Sequence, residues 1–290
     1  MFKSLLKTIR PRQWPKNLFI FAALIFDRQL LTLAPLLRTL AGFVLLCLAS
    51  GLVYIINDLV DLPRDRQHPT KRLRPLASGR LTVRAARIVA AILAALTLAA
   101  SLALNLSFGL IVAVYVVSNL LYSFWLKHVP IIDVFVVASG FLLRVAAGVA
   151  LLTVERFSPW LYVCTTLLAL YIGFGKRRAE LVLLADGANA HRRVLDGYTI
   201  PFLDQLIVIV SATTIVAYSL YTFSAPNLPS NHLMMLTIPF VLYGIFRYLY
   251  LVQVENAGGA PEDLFTTDKP LMATFLLWGL AVVAALYLGR

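Results

Sequence analysis

The residue types and spacing with the most chemistry in them lie in Asn57-Asp58-Leu59-Val60-Asp61-Leu62-Pro63-Arg64-Asp65. On a helix advancing about 100° per residue, Asn57, Asp58, Asp61 and Asp65 fall within roughly a 100° arc. Three carboxylates and a carboxamide so grouped repel one another unless a cation stands between them. A hard cation held by one or two carboxylates and a substrate's phosphates fits that donor set, and Mg²⁺ is the natural candidate. Pro63 is expected to disrupt the helix and to put Asp65 on a turn. The competing reading is a solvated helix cap beside basic neighbours.

The elements around this stretch are apolar. Of 290 residues, 60% are hydrophobic and 14% charged, and the mean hydropathy is +0.82, well outside the usual globular range. Runs near the length of a bilayer span recur throughout, so the expected fold class is an all-α integral membrane protein in one transmembrane domain over 1–290. The spacing predicts about nine spans: one from near Asn17, then Thr39–Ile56, Thr82–Leu104, Ser107–Trp125, Ile131–Thr153, Pro159–Gly175, Ile200–Phe223, His232–Val252 and Pro270–Leu288. The second of them delivers the carboxylates to its end.

A net charge of +12 suggests nucleic acid in a soluble domain, but here the basic residues follow alternate loops. They concentrate in a basic arm over residues 1–16, with Lys3, Lys7, Arg10, Arg12 and Lys16, and in loops at 61–84, 127–130 and 176–198. That bias predicts a cytoplasmic N-terminus and a polar face on the cytoplasmic side of the plasma membrane. The arm reads as an interfacial segment on an anionic leaflet leading into an uncleaved first span. Cys47 and Cys164 lie in apolar runs, and His68, His128, His191 and His232 are scattered, so neither a disulfide framework nor a zinc site is indicated.

Two further groups carry charge in a useful pattern. His68 to Gly79 mixes Lys71, Arg72 and Arg74 with prolines and Ser78-Gly79. Arginine binds phosphate bidentately and lysine adds point charge, so carboxylates beside these cations suit a diphosphate; topology alone would also place cations here. Gly173 to Leu181 carries Lys176, Arg177, Arg178 and Glu180, with Lys176 and Glu180 sharing a helix face. It reads either as a span-end cluster with one internal ion pair or as part of an anion site. Tyr122, Lys127 and Asp133 bracket a short loop, and Glu255, Glu262, Asp263 and Asp268 make the last loop too acidic for topology to explain. No glycine-bounded serine, phosphate-binding glycine loop or Cys/His pair points to nucleophilic catalysis. A metal-assisted transfer in which diphosphate leaves remains.

Asn57-Asp58-x-x-Asp61-x-x-x-Asp65 resembles the first aspartate-rich motif of the UbiA superfamily of intramembrane prenyltransferases. Arg10 to Asn17, Lys71 to Gly79, Gly175 to Leu181 and Pro261-Glu262-Asp263 with Asp268 resemble its decaprenyl-phosphate phosphoribosyltransferase branch, over about Ile9 to Leu271. Where ordinary members carry a second aspartate-rich motif, this chain reads Lys176-Arg177-Arg178-Ala179-Glu180. The resemblance therefore implies a donor with more phosphate than a prenyl diphosphate, namely 5-phosphoribosyl 1-diphosphate, and a polyprenyl (decaprenyl) phosphate acceptor. It implies Asn57, Asp58, Asp61 and Asp65 as Mg²⁺ ligands, Asp58 and Asp61 as catalytic, and Lys16, Asn57, Lys71, Arg72, Arg74, Tyr122, Lys127, Lys176, Arg177, Arg178 and Glu180 as substrate-binding. The activity it implies is phosphoribosyl transfer for cell-wall arabinan precursors. The alternative is an aromatic prenyltransferase joining a prenyl diphosphate to a 4-hydroxybenzoate-like acceptor. Nucleic acid is not an expected partner, and a homo-oligomer is left open.

Overall fold

The computed structural model describes residues 2–153, 158–185, 193–225 and 228–288, and in these it is helical. The α-helices are α1 Phe2–Thr8, α2 Phe21–Phe26, α3 Leu33–Val60, α4 Leu62–Gln67, α5 Val83–Leu104, α6 Leu106–Phe124, α7 Ile132–Ala150, α8 Pro159–Ala185, α9 Ile200–Ser224, α10 Ile238–Gln253, α11 Pro261–Thr267 and α12 Lys269–Val283. Among the described residues seven helical segments are long and apolar enough to cross a bilayer: Leu33–Val60, Val83–Leu104, Leu106–Phe124, Ile132–Ala150, Ile200–Ser224, Leu233–Gln253 and Lys269–Leu288. The chain is a multi-pass membrane protein.

The remaining two expected spans are built differently. From Pro11 to Ile20 the chain is a 3₁₀ helix, continued by the six-residue α2. Pro11 and Pro15 lack the N–H that an α-helical ladder needs, and a 3₁₀ winding tolerates that loss over a short run. The span expected to end at Gly175 instead continues as α8 to Ala185. Lys176 to Ala185 is therefore helix rather than loop, and residues 186–192 of that expected loop lie outside the described residues.

The sequence marks the helix starts with side chains that take up orphan backbone donors. Thr82, Asn105, Thr199 and Asp268 accept from the N–H of Ala85, Phe108, Phe202 and Leu271, the arrangement expected of N-caps. Asn105 alone separates α5 from α6. Gly109 lets those helices meet, since a Cβ there would come 2.7 Å from the Leu102 Cα.

The chain divides into two compact units, Met1–Lys127 with Gly140–Val154, and His128–Ser139 with Glu155–Arg290. Helix α7 is shared, its first eight residues counted with the second unit. In the first unit α3 packs on α5 and α6. Its core is Ile20, Leu46, Ala49, Val53, Phe108, Val112, Tyr115, Ala147 and Leu151. A second cluster joins Leu52 and Ile55 of α3 to Leu76, Leu81 and Ala86. In the second unit α8 lies along α9. There the buried Tyr171 donates to the Ile245 carbonyl at 2.7 Å and meets Tyr248 edge-on.

Two acids of the last loop, Glu255 and Asp268, gather at Arg247. Arg247 donates to both oxygens of Asp268 at 2.7 and 3.3 Å, Asp268 also caps α12, and Glu255 lies 3.9 Å from Arg247. The Arg247 guanidinium holds the Asp268 carboxyl below its usual range. Asp268→Ala removes cap and pair together and is expected to cost about 1–2 kcal/mol, measurable as a lower unfolding midpoint in detergent.

Candidate active site

The polar site of the first unit is built where α3 ends. Asp61 closes α3 and opens α4, and the ladder runs through it: Asp61 N–H donates to the Asn57 carbonyl and Asp65 N–H to the Asp61 carbonyl, both at 2.9 Å. Pro63 sits in the first turn of α4, where its missing N–H costs nothing. The helix is disrupted beside it as expected, α3 ending at Val60 and α4 starting at Leu62, but Asp65 is helical and not on a turn. The side chains then divide by partner: Asn57 and Asp61 meet Ser123 and Lys127, while Asp58 and Asp65 share Arg74.

Burial then sorts the carboxylates. Asp58 and Asp65 are 2% and 3% exposed, and Asp61 is half-buried. Buried carboxylates need cationic or hydrogen-bonding partners, and these come from distant parts of the chain. Arg10 Nη2 donates to Asp58 Oδ1 at 2.6 Å while its guanidinium lies 4.7 Å from the Tyr54 ring centre. Arg74 Nη1 bridges two carboxylates, donating to Asp65 Oδ2 at 2.7 Å and to Asp58 Oδ1 at 3.2 Å. Lys127 Nζ donates to Asp61 Oδ1 at 2.9 Å, and the Ser123 hydroxyl donates to the Asn57 side-chain oxygen.

Arg74 is delivered by a loop with its own anchors. Leu76 and Leu81 are buried against α3, Arg80 donates to the Leu73 carbonyl and to the Ser78 hydroxyl, and Gly79 turns the chain with φ +77, a conformation that favours glycine. His68 Nδ1 accepts from the N–H of Thr70 and Lys71, so this histidine shapes the loop. Lys71 and Arg72 are exposed, and Lys16 and Tyr122 are half-buried.

The second unit holds the rest of the expected set. Asp133, fully buried, accepts from Arg177 Nε at 2.6 Å and from the Tyr198 hydroxyl at 2.7 Å. Arg177 Nη1 also donates to Glu180 at 2.6 Å, an i, i+3 pair in α8. The pairing on this helix is thus Arg177 with Glu180, one residue along from the Lys176 with which Glu180 was expected to share a face. Burial, reinforced by the neighbouring Asp133 carboxylate, pushes the Tyr198 phenol well above its ordinary range. Arg178 donates to Asp204 at 2.6 Å and to the Val252 carbonyl at 3.0 Å. Arg177 and Arg178 are 4% and 9% exposed; Lys176 is half-buried, with no hydrogen bond or ion pair among the described residues.

Among the described residues no three His, Cys, Asp or Glu side chains already converge as a metal cage. The carboxylates are engaged by Arg10, Arg74 and Lys127. Sequence reasoning named Arg74 and Lys127 but missed Arg10 and Ser123 as site neighbours, and Asp204 and Tyr198 as partners of the second cluster. It also missed Arg144, a charged residue inside an apolar span, which is itself a signal worth following.

With this geometry in place, comparisons with known proteins add the family. Residues 18–267 match the UbiA prenyltransferase family. The chain is 33% identical to a decaprenyl-phosphate phosphoribosyltransferase of Mycolicibacterium smegmatis, covering 99% of this chain and 93% of that one. It is 31% identical to one of Corynebacterium glutamicum, covering 98% and 87%. Among solved structures it resembles a UbiA homolog from Archaeoglobus fulgidus bound to DMAPP and Mg²⁺, with a TM-score of 0.74 at 22% identity over 98% of this chain and all of that one. The fold, the helix-end carboxylates and the match over most of the chain agree: this protein is a member of the UbiA prenyltransferase family.

Proposed function

We propose that the protein transfers a 5-phosphoribosyl group from 5-phosphoribosyl 1-diphosphate to a polyprenyl phosphate of the decaprenyl type, releasing diphosphate, as a step toward cell-wall arabinan precursors. The observation that carries this reading is the near full-length likeness to the mycobacterial and corynebacterial enzymes of that name. We place the site on the cytoplasmic side of the plasma membrane, where the charge bias of the loops puts it.

The carboxylates fit a Mg²⁺ site by donor chemistry. All are hard oxygen donors, and Arg74 already stands between Asp58 and Asp65 as a cation would. Asp58, Asp61 and Asp65, with Asn57 oriented by Ser123, would hold the ion. Bound there, it would neutralise charge on the departing diphosphate. Arg10, Arg74 and Lys127 are placed to turn from carboxylate to phosphate oxygens when the donor arrives, since guanidinium and ammonium groups pair with either. Lys16, Lys71, Arg72 and Tyr122 sit in the same unit and extend the binding set. The acceptor phosphate is an anionic nucleophile already, so no general base is required. Its oxygen forms the new bond to the anomeric carbon as the bond to diphosphate oxygen breaks, with inversion. In the second unit Lys176 is the cation left for an anion, while Arg177, Arg178 and Glu180 position α8.

The test supplies membranes containing the protein with Mg²⁺, labelled 5-phosphoribosyl 1-diphosphate and polyprenyl phosphate. A labelled lipid that vanishes on chelation is expected. Label transfer only from a prenyl diphosphate to an aromatic acid would replace this reading with the prenyltransferase one.

A further inference from the structure

Inside the first unit a buried cation has no anion among the described residues. Arg144 lies deep in α7 and is 8% exposed. Its Nε donates to the Asn17 side-chain oxygen at 2.7 Å, Nη1 to the Gly140 carbonyl at 2.6 Å, and Nη2 to the Tyr115 hydroxyl at 2.9 Å. The guanidinium also lies 4.8 and 5.5 Å from the ring centres of Tyr115 and Phe141. Every one of these partners is neutral, and no carboxylate among the described residues pairs with it. A guanidinium has five N–H donors, so two are left without an acceptor there. Gly140 is small where Nη1 passes; a Cβ would stand 3.3 Å from it. An uncompensated charge at membrane depth is costly and calls for an anionic partner.

The surroundings lead from this cation to the carboxylates. Ser50 donates to Asn17 and contacts the Tyr115 hydroxyl, both at 3.2 Å. On α3, Ser50, Tyr54, Asn57 and Asp61 fall within about a 60° arc at 100° per residue. On α6, Tyr115 and Ser123 are two turns apart, and the two helices are joined twice, by Ser50 with Tyr115 and by Asn57 with Ser123. Ser50 and Asp58 are separated by ~12 Å along the α3 axis. That is comparable to the span of a pentose carrying phosphate groups at both ends. An apolar prenyl tail led inward from the carboxylates would meet a buried charge.

We propose that Arg144, held by Asn17 and Tyr115 with Ser50 beside them, is a second anion subsite that takes a phosphate monoester. The inference rests on the phosphoribosyl-transfer reading for the source of that phosphate, which is the donor's 5-phosphate or the lipid acceptor's head group. Filled by the donor's 5-phosphate, the subsite would favour a phosphorylated sugar over a prenyl diphosphate.

The full chain in lipid nanodiscs is titrated with ribose 5-phosphate and, separately, with polyprenyl phosphate, following the unfolding midpoint; KM is measured for both transfer substrates. Arg144→Gln is expected to abolish the midpoint rise with one of the two probes and to raise the matching KM about tenfold or more, as loss of a charge-assisted contact should. Loss with ribose 5-phosphate assigns the donor end, and loss with polyprenyl phosphate assigns the acceptor. Arg144→Lys should recover part of the response because it keeps the charge. Tyr115→Phe, which keeps the ring and removes only the hydroxyl, serves if the Gln variant does not fold, and should raise the same KM by a smaller factor. Unchanged responses and KM values in a folded Gln or Phe variant would overturn the subsite. If the wild type transfers no phosphoribosyl group yet responds to ribose 5-phosphate through Arg144, the function fails and the subsite stands.

Discussion

Asp61→Ala is expected to lower transfer by at least about 10²–10³-fold, the usual cost of removing one group that stabilises transition-state charge, while the protein stays folded. Asp61 is the carboxylate that can be removed cleanly. Its side chain is 33% exposed against 3% for Asp58, and its one described partner is Lys127. Although Asp61 occupies the N-cap position of α4, its side chain makes no capping bond. A half-exposed ion pair contributes little, about 1 kcal/mol at most. Asp58→Ala is a poorer probe, because it strips a shared acceptor from Arg10 and Arg74 and perturbs folding as well as chemistry. Labelled-lipid formation measured beside the size-exclusion profile and unfolding midpoint separates the two effects. Wild-type-like transfer by a folded Asp61→Ala protein would remove the carboxylates from the mechanism.

The helix-end carboxylates were legible because spacing on one helix is local information. Asn57, Asp58, Asp61 and Asp65 are all at the end of α3 and in α4, although the break at Asp61 divides them between two sets of partners. Their partners were not legible, since Arg10, Arg74 and Lys127 lie 48, 9 to 16, and 66 residues away from the carboxylates they engage. The packing of Leu76 and Leu81 on α3, with the loop's own hydrogen bonds, brings Arg74 to the carboxylates while Arg72 stays exposed. The break at Pro11–Ile20 was hidden because hydropathy reports apolarity and not the loss of two backbone donors. The continuation of α8 was hidden for the opposite reason. Charge signalled a loop, yet Lys176-Arg177-Arg178-Ala179-Glu180-Leu181 contains no Gly or Pro and consists of good helix formers. What lets the charges stay in a helix is pairing with Asp133 and Asp204, which no pattern along α8 announces.

That pairing yields the second large effect. Asp133→Ala is expected to destabilise the protein by about 3–5 kcal/mol, the range for removing one partner of a buried ion pair. Both oxygens of Asp133 are in use, one by Arg177 and one by Tyr198, and the Ile131 N–H donates in turn to the Tyr198 hydroxyl at 2.5 Å. Removing the carboxylate leaves the Arg177 guanidinium with Glu180 and strands the phenol that ties Ile131 to the start of α7. Arg177→Met alone should be similarly costly, because it leaves the fully buried Asp133 carboxyl without its cationic partner. Asp133→Leu with Arg177→Met removes both charges and should recover much of the loss, since a well-packed apolar pair often equals the ion pair it replaces. The same cycle decides what Arg177 does. If it positions α8, the double variant regains folding together with most of its affinity for the sugar donor. If instead Arg177 grips phosphate, folding returns while KM for 5-phosphoribosyl 1-diphosphate stays raised in every variant lacking the arginine.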